Sequence, residues 1–220
     1  MKNDHQLKQD ILEELAWEPS VNEDRIGVEV DKGIVTLVGR LDSYAEKYAA
    51  ERAVQRVSGV KGLAVELDVR LPGSSVRTDA DIAKTAQEGL EWNAFVPEDK
   101  IRVMVEDGWI TLSGEVEHAH QKEAAESTLR RLMGVVGISN QLTVKPVTAP
   151  VIAPENVKLK IEAALQRRAH ADTKAIQVTV DGSKIILSGI VPNLAERREA
   201  CRAAARAPGV VQVIDKMTAV

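Results

Sequence analysis

The stretch VEVDKGIVTLVGRLD, residues 28–42, reads as a β-hairpin, with apolar and polar residues alternating on either side of Lys32-Gly33. Alternation puts every second side chain on one face of a strand. Glycine supplies the positive φ that a two-residue hairpin turn requires. The chain repeats the pattern as VMVEDGWITLSGEVE at 103–117 and VTVDGSKIILSGIVP at 178–192.

The period is 75 residues. It relates Gly39, Gly114 and Gly189, then Gly59, Gly134 and Gly209, and it also relates Leu15, Leu90 and Leu165 and Ile26, Ile101 and Ile176. A unit of this length exceeds solenoid repeats of about 20–50 residues and reads as a small domain. Three copies are expected, at 1–73, 76–147 and 153–220, joined by PGSSVRT (72–78) and PVTAPVIAP (146–154). Domains of about 55–65 residues are marginal alone, so packing between copies is expected.

Each copy opens with a helix whose apolar stripe is Leu7, Ile11 and Leu15, then Ile82, Ala86 and Leu90, then Val157, Ile161 and Leu165. This is the spacing of one helix face. A second helix follows the hairpin, started by Ser43 with Glu46, His118 with Gln121 and Asn193 with Glu196, pairs at capping-box spacing. Its buried face is Ala50, Ala53, Val54 and Val57, replaced in the third copy by Ala200, Ala203, Ala204 and Ala207. A last alternating strand is clearest in LAVELDVRL at 63–71. The reading is α+β: three tandem α-β-β-α-β domains, each a three-stranded sheet with two helices on one face. A right-handed crossover returns the last strand parallel to the second. Gly39, Gly114 and Gly189 interrupt a strand, which points to close approach of another element. A helix lying over each glycine is expected.

The ordered set of helix, V-x-V-x-x-G hairpin, LSG strand, Ala-rich helix and Gly-Val before the last strand resembles the BON domain, over nearly the whole chain. The resemblance implies an interaction module of osmotically induced and transport-associated bacterial proteins, associating with phospholipid surfaces or envelope proteins. A potassium-binding relative of this family implies an alternative, a small-ligand or cation sensor. One departure is Val65, where relatives carry Asn or Asp; Asn140 and Asp215 keep the polar residue.

Composition is that of a soluble globular chain, and at 3% aromatic its cores must be built from Val, Leu, Ile and Ala. No apolar run approaches the ~20 residues of a transmembrane segment. Cys201 stands alone, so no internal disulfide forms. The N-terminal residues are charged without an apolar signal segment; the expected location is cytoplasmic if Met1 is native, periplasmic if the chain is a processed form. Net charge is −4 for 1–73, −4 for 74–147 and +4 for 148–220. The third copy is the odd one.

Its second helix carries Arg198, Arg202 and Arg206 in one stripe with Arg197 beside it, and Arg167 and Arg168 end its first helix. Such arginines can meet anionic lipid head groups, and the stripe is expected to be exposed. A solvated face and docking against the acidic copies are the competing readings. Trp109 is in phase with Thr111 and Ser113, so it is expected to point away from the helices, as a surface anchor or an interdomain contact. Trp17 and Trp92 are expected in core or hinge packing, and Cys201 at the surface. His118, His120 and Glu123 align with Ser43, Ala45 and Tyr48 and read as a solvated helix entrance rather than the three or four ligands of a metal site. No catalytic constellation or cofactor is expected. The expected protein is a non-enzymatic adaptor for an anionic phospholipid surface or a protein partner, with self-association possible and nucleic acid not expected.

Overall fold

The computed structural model describes residues 2–145, 154–167, 176–207 and 209–220. The proline-bearing link at 146–153 lies outside them, as do Arg168 and His170. Three tandem α-β-β-α-β domains follow one another. The first contains α1 (Asp4–Trp17), β1 (Ile26–Asp31), β2 (Ile34–Leu41), α2 (Tyr44–Arg56) and β3 (Gly62–Val69). The second contains α3 (Asp79–Glu91), β4 (Ile101–Glu106), β5 (Trp109–Val116), α4 (Ala119–Leu129), β6 (Gly137–Asn140) and β7 (Thr143–Val144). The third contains α5 (Pro154–Arg167), β8 (Ile176–Asp181), β9 (Lys184–Val191), α6 (Leu194–Ala205) and β10 (Gln212–Ala219). The chain also divides into two compact units. One comprises Met1–Val38, Ala50–Glu66 and Thr148–Val220, and the other Gly39–Ala49 and Leu67–Val147.

The hairpin's second strand is central in every sheet, as in the order β1-β2-β3. β4 pairs antiparallel with β5 and β6 pairs parallel with it; β8, β9 and β10 repeat the arrangement. The parallel pairing is what a crossover through the second helix requires. Val35 and Leu37, Ile110 and Leu112, and Ile185 and Leu187 are all fully buried. In the middle copy these residues pack with Ile82, Leu90 and Leu129; in the third, with Ile161 and Ala204. Helices therefore cover one sheet face only. Aliphatic residues fill these cores, and no polar or charged side chain is buried among the described residues.

The expected caps are present. Glu46 N–H donates to Ser43 Oγ at 3.1 Å and Glu196 N–H to Asn193 Oδ1 at 2.8 Å. His118 serves differently: its own N–H donates to the Gln121 side chain at 2.9 Å. Side chains at these places satisfy amides that the first helical turn leaves without partners.

The hairpin turns have positive φ at both central residues, 51° and 82° at Lys32-Gly33 and 49° and 76° at Asp107-Gly108, the signature of a type I′ turn. A carboxylate holds each of these two turns. Asp79 Oδ2 and Oδ1 accept from Asp107 N–H and Gly108 N–H, both at 2.9 Å, and Asp4 holds Lys32 and Gly33 likewise at 2.8 and 3.0 Å. The register position in the third copy is Pro154, which has no carboxylate to offer.

The glycine in the central strand has a different cause from the helix that was expected over it. At Gly114 φ is +133°, and an added Cβ would lie 2.1 Å from the Lys100 carbonyl oxygen on the adjoining chain. Backbone, not helix, crowds it. Gly114→Val should therefore lower stability by ~1–3 kcal/mol through overpacking and strained φ. Denaturant titration of the full chain should show an earlier transition, whereas an unchanged profile would show that the carbonyl yields freely.

Candidate functional site

The second helix is tied to the last strand by a long cation at one register position. Lys47 Nζ donates to Leu67 O at 2.8 Å and Lys122 Nζ to Leu142 O at 2.7 Å. In the third copy this place belongs to Arg197, whose Nε donates to Asp215 Oδ2 at 2.6 Å, while Asp215 Oδ1 accepts from Met217 N–H at 2.9 Å. Asn140 does the matching work in the middle copy, where its Oδ1 accepts from Leu142 N–H at 3.3 Å and its Nδ2 donates to Lys122 O at 2.9 Å. The polar residue in the last strand thus fastens strand to helix.

Arg197 is accordingly a strap. Arg198 donates to Gln55 Oε1 at 3.4 Å, and Arg202 to Glu199 Oε1 at 2.9 Å. No residue of α6 is exposed; Arg206, just beyond it, and Arg167, at the end of α5, are. The expected exposed stripe is therefore half-buried along Arg198 and Arg202, because α6 packs on β9 and β10 and contacts the first copy within the same unit. Arg168 lies outside the described residues.

The aromatic residues also redistribute. Trp109 does point away from the helices, and its ring covers Gly137 on β6, where a Cβ would come within 2.3 Å of the ring. It shields a glycine on its own sheet, an interaction known to repair strands that lack a side chain. Trp17 and Trp92 are not in the core: they are 83% and 90% exposed, and Phe95, in the turn after α3, is 68% exposed. Helix geometry explains this. Trp17 follows Leu15 by two residues, about 200° around the helix, so it leaves the buried stripe. The same count places Trp92 opposite Leu90.

Cys201 is half-buried against the core of the third copy. Burial, the Asp215 charge and a hydrogen bond to Asp215 push its thiol up to about 12. His118 and His120 stack with ring centroids 5.3 Å apart. Among the described residues, no three His, Cys, Asp or Glu side chains gather as metal ligands, and no helix is long and apolar enough to cross a membrane.

A sheet of three strands, or of four in the middle copy where the last strand is broken into β6 and β7, with two helices on one face, given three times over, defines a class of small tandem modules. The chain belongs to the BON domain family, whose model matches residues 3–70, 78–146 and 155–220. It is 32% identical over 124 residues to osmotically-inducible protein Y of Escherichia coli (strain K12), a match covering 54% of this chain and 62% of that protein. It is also similar to CdsD, a structural protein of the type III secretion system of Chlamydia trachomatis, at 15% identity and a TM-score of 0.26, over 96% of this chain and 91% of that one. The CdsD C-terminal domain gives 14% and 0.27, with full coverage of both chains. Similarity at this level carries no argument about function.

The Cys201 environment has a pH consequence. A thiol whose folded value is about 12, against an ordinary 9.0, favours the folded state fully below pH 9.0 and loses that contribution as pH rises toward 12. Alkylation near pH 8 should be slow in the native chain and should accelerate on unfolding; equal rates would show that the thiol is freely accessible.

Proposed function

We propose that this protein is a non-catalytic binding module of osmotic or envelope stress that touches an anionic phospholipid surface through its exposed aromatic helix ends. The observation that carries this reading is Trp92, 90% exposed at the end of α3 with exposed Phe95 three residues on. Indole is amphipathic and settles where an apolar phase meets water, and exposed aromatic clusters mark interaction sites. The family's association with phospholipid surfaces and the name of its osmotically-inducible relative support the same direction. The arginines contribute less than their number implies, since Arg197, Arg198 and Arg202 already have partners within the fold.

Co-sedimentation with phosphatidylglycerol-containing vesicles tests the proposal. Trp92→Ala should weaken binding roughly ten-fold, by removing a ring that would be buried at the interface, and should leave the melting transition in place because that side chain packs on nothing in the core. Trp109→Ala should instead loosen the middle sheet. Binding indifferent to Trp92, or a potassium-dependent change in stability without vesicle binding, would transfer the case to the ligand-sensor reading.

A further inference from the structure

A cavity of about 530 Å³ lies where the first copy's hairpin turn meets the start of α1 and the approach to β3. Small-molecule sites run to about 300–1,000 Å³. Buried Leu7 lines this one, and Lys2, Lys32 and Lys61 stand around it. Lys2 is paired with Asp10 at 2.5 Å, and Asp4, also at the cavity, has both carboxylate oxygens on the turn amides. The two lysines that matter are therefore Lys32 and Lys61.

Lys32 has φ of 51°, in the left-handed region that suits glycine, asparagine and aspartate but not lysine. Its register counterparts are Asp107 and Gly182, at 49° and 58°. The turn itself does not ask for lysine, and a residue in a strained conformation that the fold does not require points to function. Lys61 has a matching peculiarity. Its Cγ and Cδ cover Gly33, where an added Cβ would come within 3.3 and 3.1 Å of them. Val136 and Val211 hold that register position in the other copies, and Val136 covers Gly108 with its methyl groups. Lysine does the same covering with its stem and carries an ammonium beyond it. Two cations thus flank one turn in a module whose net charge is −4. The second copy builds this corner otherwise. Met133 stands at the place of Ser58 and Arg77 at that of Lys2, and the Arg77 guanidinium donates to the Met133 sulfur at 3.3 Å.

We propose that the first copy's cavity binds a small phosphate monoester, with Lys32 and Lys61 on the phosphate and the carbon body against Leu7. An ammonium is a compact point charge, and two of them on separate loops suit a dianion held from two sides. A carboxylate has one charge to share between them. The proposal goes beyond the membrane reading and does not depend on it, since that reading rests on Trp92.

The test uses the full chain and hexyl phosphate, titrated by calorimetry at about pH 7.5, where the monoester is a dianion. Hexyl phosphate should bind about ten-fold more tightly than hexanoate, which offers one charge, and than inorganic phosphate, which offers no carbon body. Lys61→Met, which keeps a stem over Gly33, should weaken binding about ten-fold, the worth of one charged hydrogen bond. Lys32→Asn should weaken it as much while the protein melts no earlier, because asparagine is the better residue at that turn. Should Lys32→Asn fold poorly, Lys61→Met alone decides. Lys216→Met, the same charge change on β10, should leave binding intact. No binding of hexyl phosphate, equal binding of hexanoate, or insensitivity to both corner variants overturns the proposal. Equal binding of inorganic phosphate overturns it too, by showing ion capture without a ligand body. Loss of phosphatidylglycerol-vesicle binding in Lys32→Asn, with no binding of hexyl phosphate, would assign the lysines to the membrane surface instead. Trp92→Ala, which tests the membrane reading, should leave hexyl phosphate binding unchanged, so either proposal can fail alone.

Discussion

Two backbone amides in a hairpin turn, held by one carboxylate at the start of the preceding helix, fix the geometry on which the first and second copies depend. A three-stranded sheet with one covered face offers its first helix no neighbour in sequence to dictate where it lies. The Asp4 and Asp79 carboxylates settle that by binding the turns at Lys32-Gly33 and Asp107-Gly108. With the helix start pinned to the turn, Leu7, Ile11 and Leu15, or Ile82, Ala86 and Leu90, fall over the sheet and are buried. The turn is pinned on its other side too, since Gly33 O and Gly108 O accept from the N–H groups of Lys61 and Val136, each one residue before the last strand. Helix, turn and last strand therefore meet at one corner, and the helix axis and strand register follow from it.

The copies keep their cores and vary their fastenings. A lysine that reaches a strand carbonyl in two copies is an arginine bound to a strand carboxylate in the third. The helix–helix cleft is ionic in the first copy and amide-to-hydroxyl in the second, and alanines stand at Ala163, Ala164 and Ala203 in the third. Substitution at such places alters the surface chemistry of a module without disturbing the aliphatic packing beneath. The three copies of this one fold carry net charges of −4, −4 and +4.

Much of the fold was legible because period and turn chemistry are written locally. The alternation around Lys32-Gly33 and the stripe at Leu7, Ile11 and Leu15 each state a face directly. What escaped lay in contacts between distant residues. Nothing near Gly114 announces the Lys100 carbonyl, so a covering helix was expected instead. Cys201 shares its register position with Glu51 and Glu126, which suggests a surface place; in fact that position is half-buried in all three copies. Trp17 and Trp92 were legible in principle, since counting two residues on from the apolar stripe turns each outward. The expectation of core or hinge packing overlooks that count. The arginine stripe misled for the converse reason: its spacing is real, but charge says nothing about what packs over a helix.

Pro154 occupies the register position from which Asp4 and Asp79 hold their turns. Proline offers a turn no carboxylate, and α5 meets its sheet through the buried Val157, Ile161 and Leu165. One fold thus keeps its aliphatic core while the residue at its corner changes from an acid to proline.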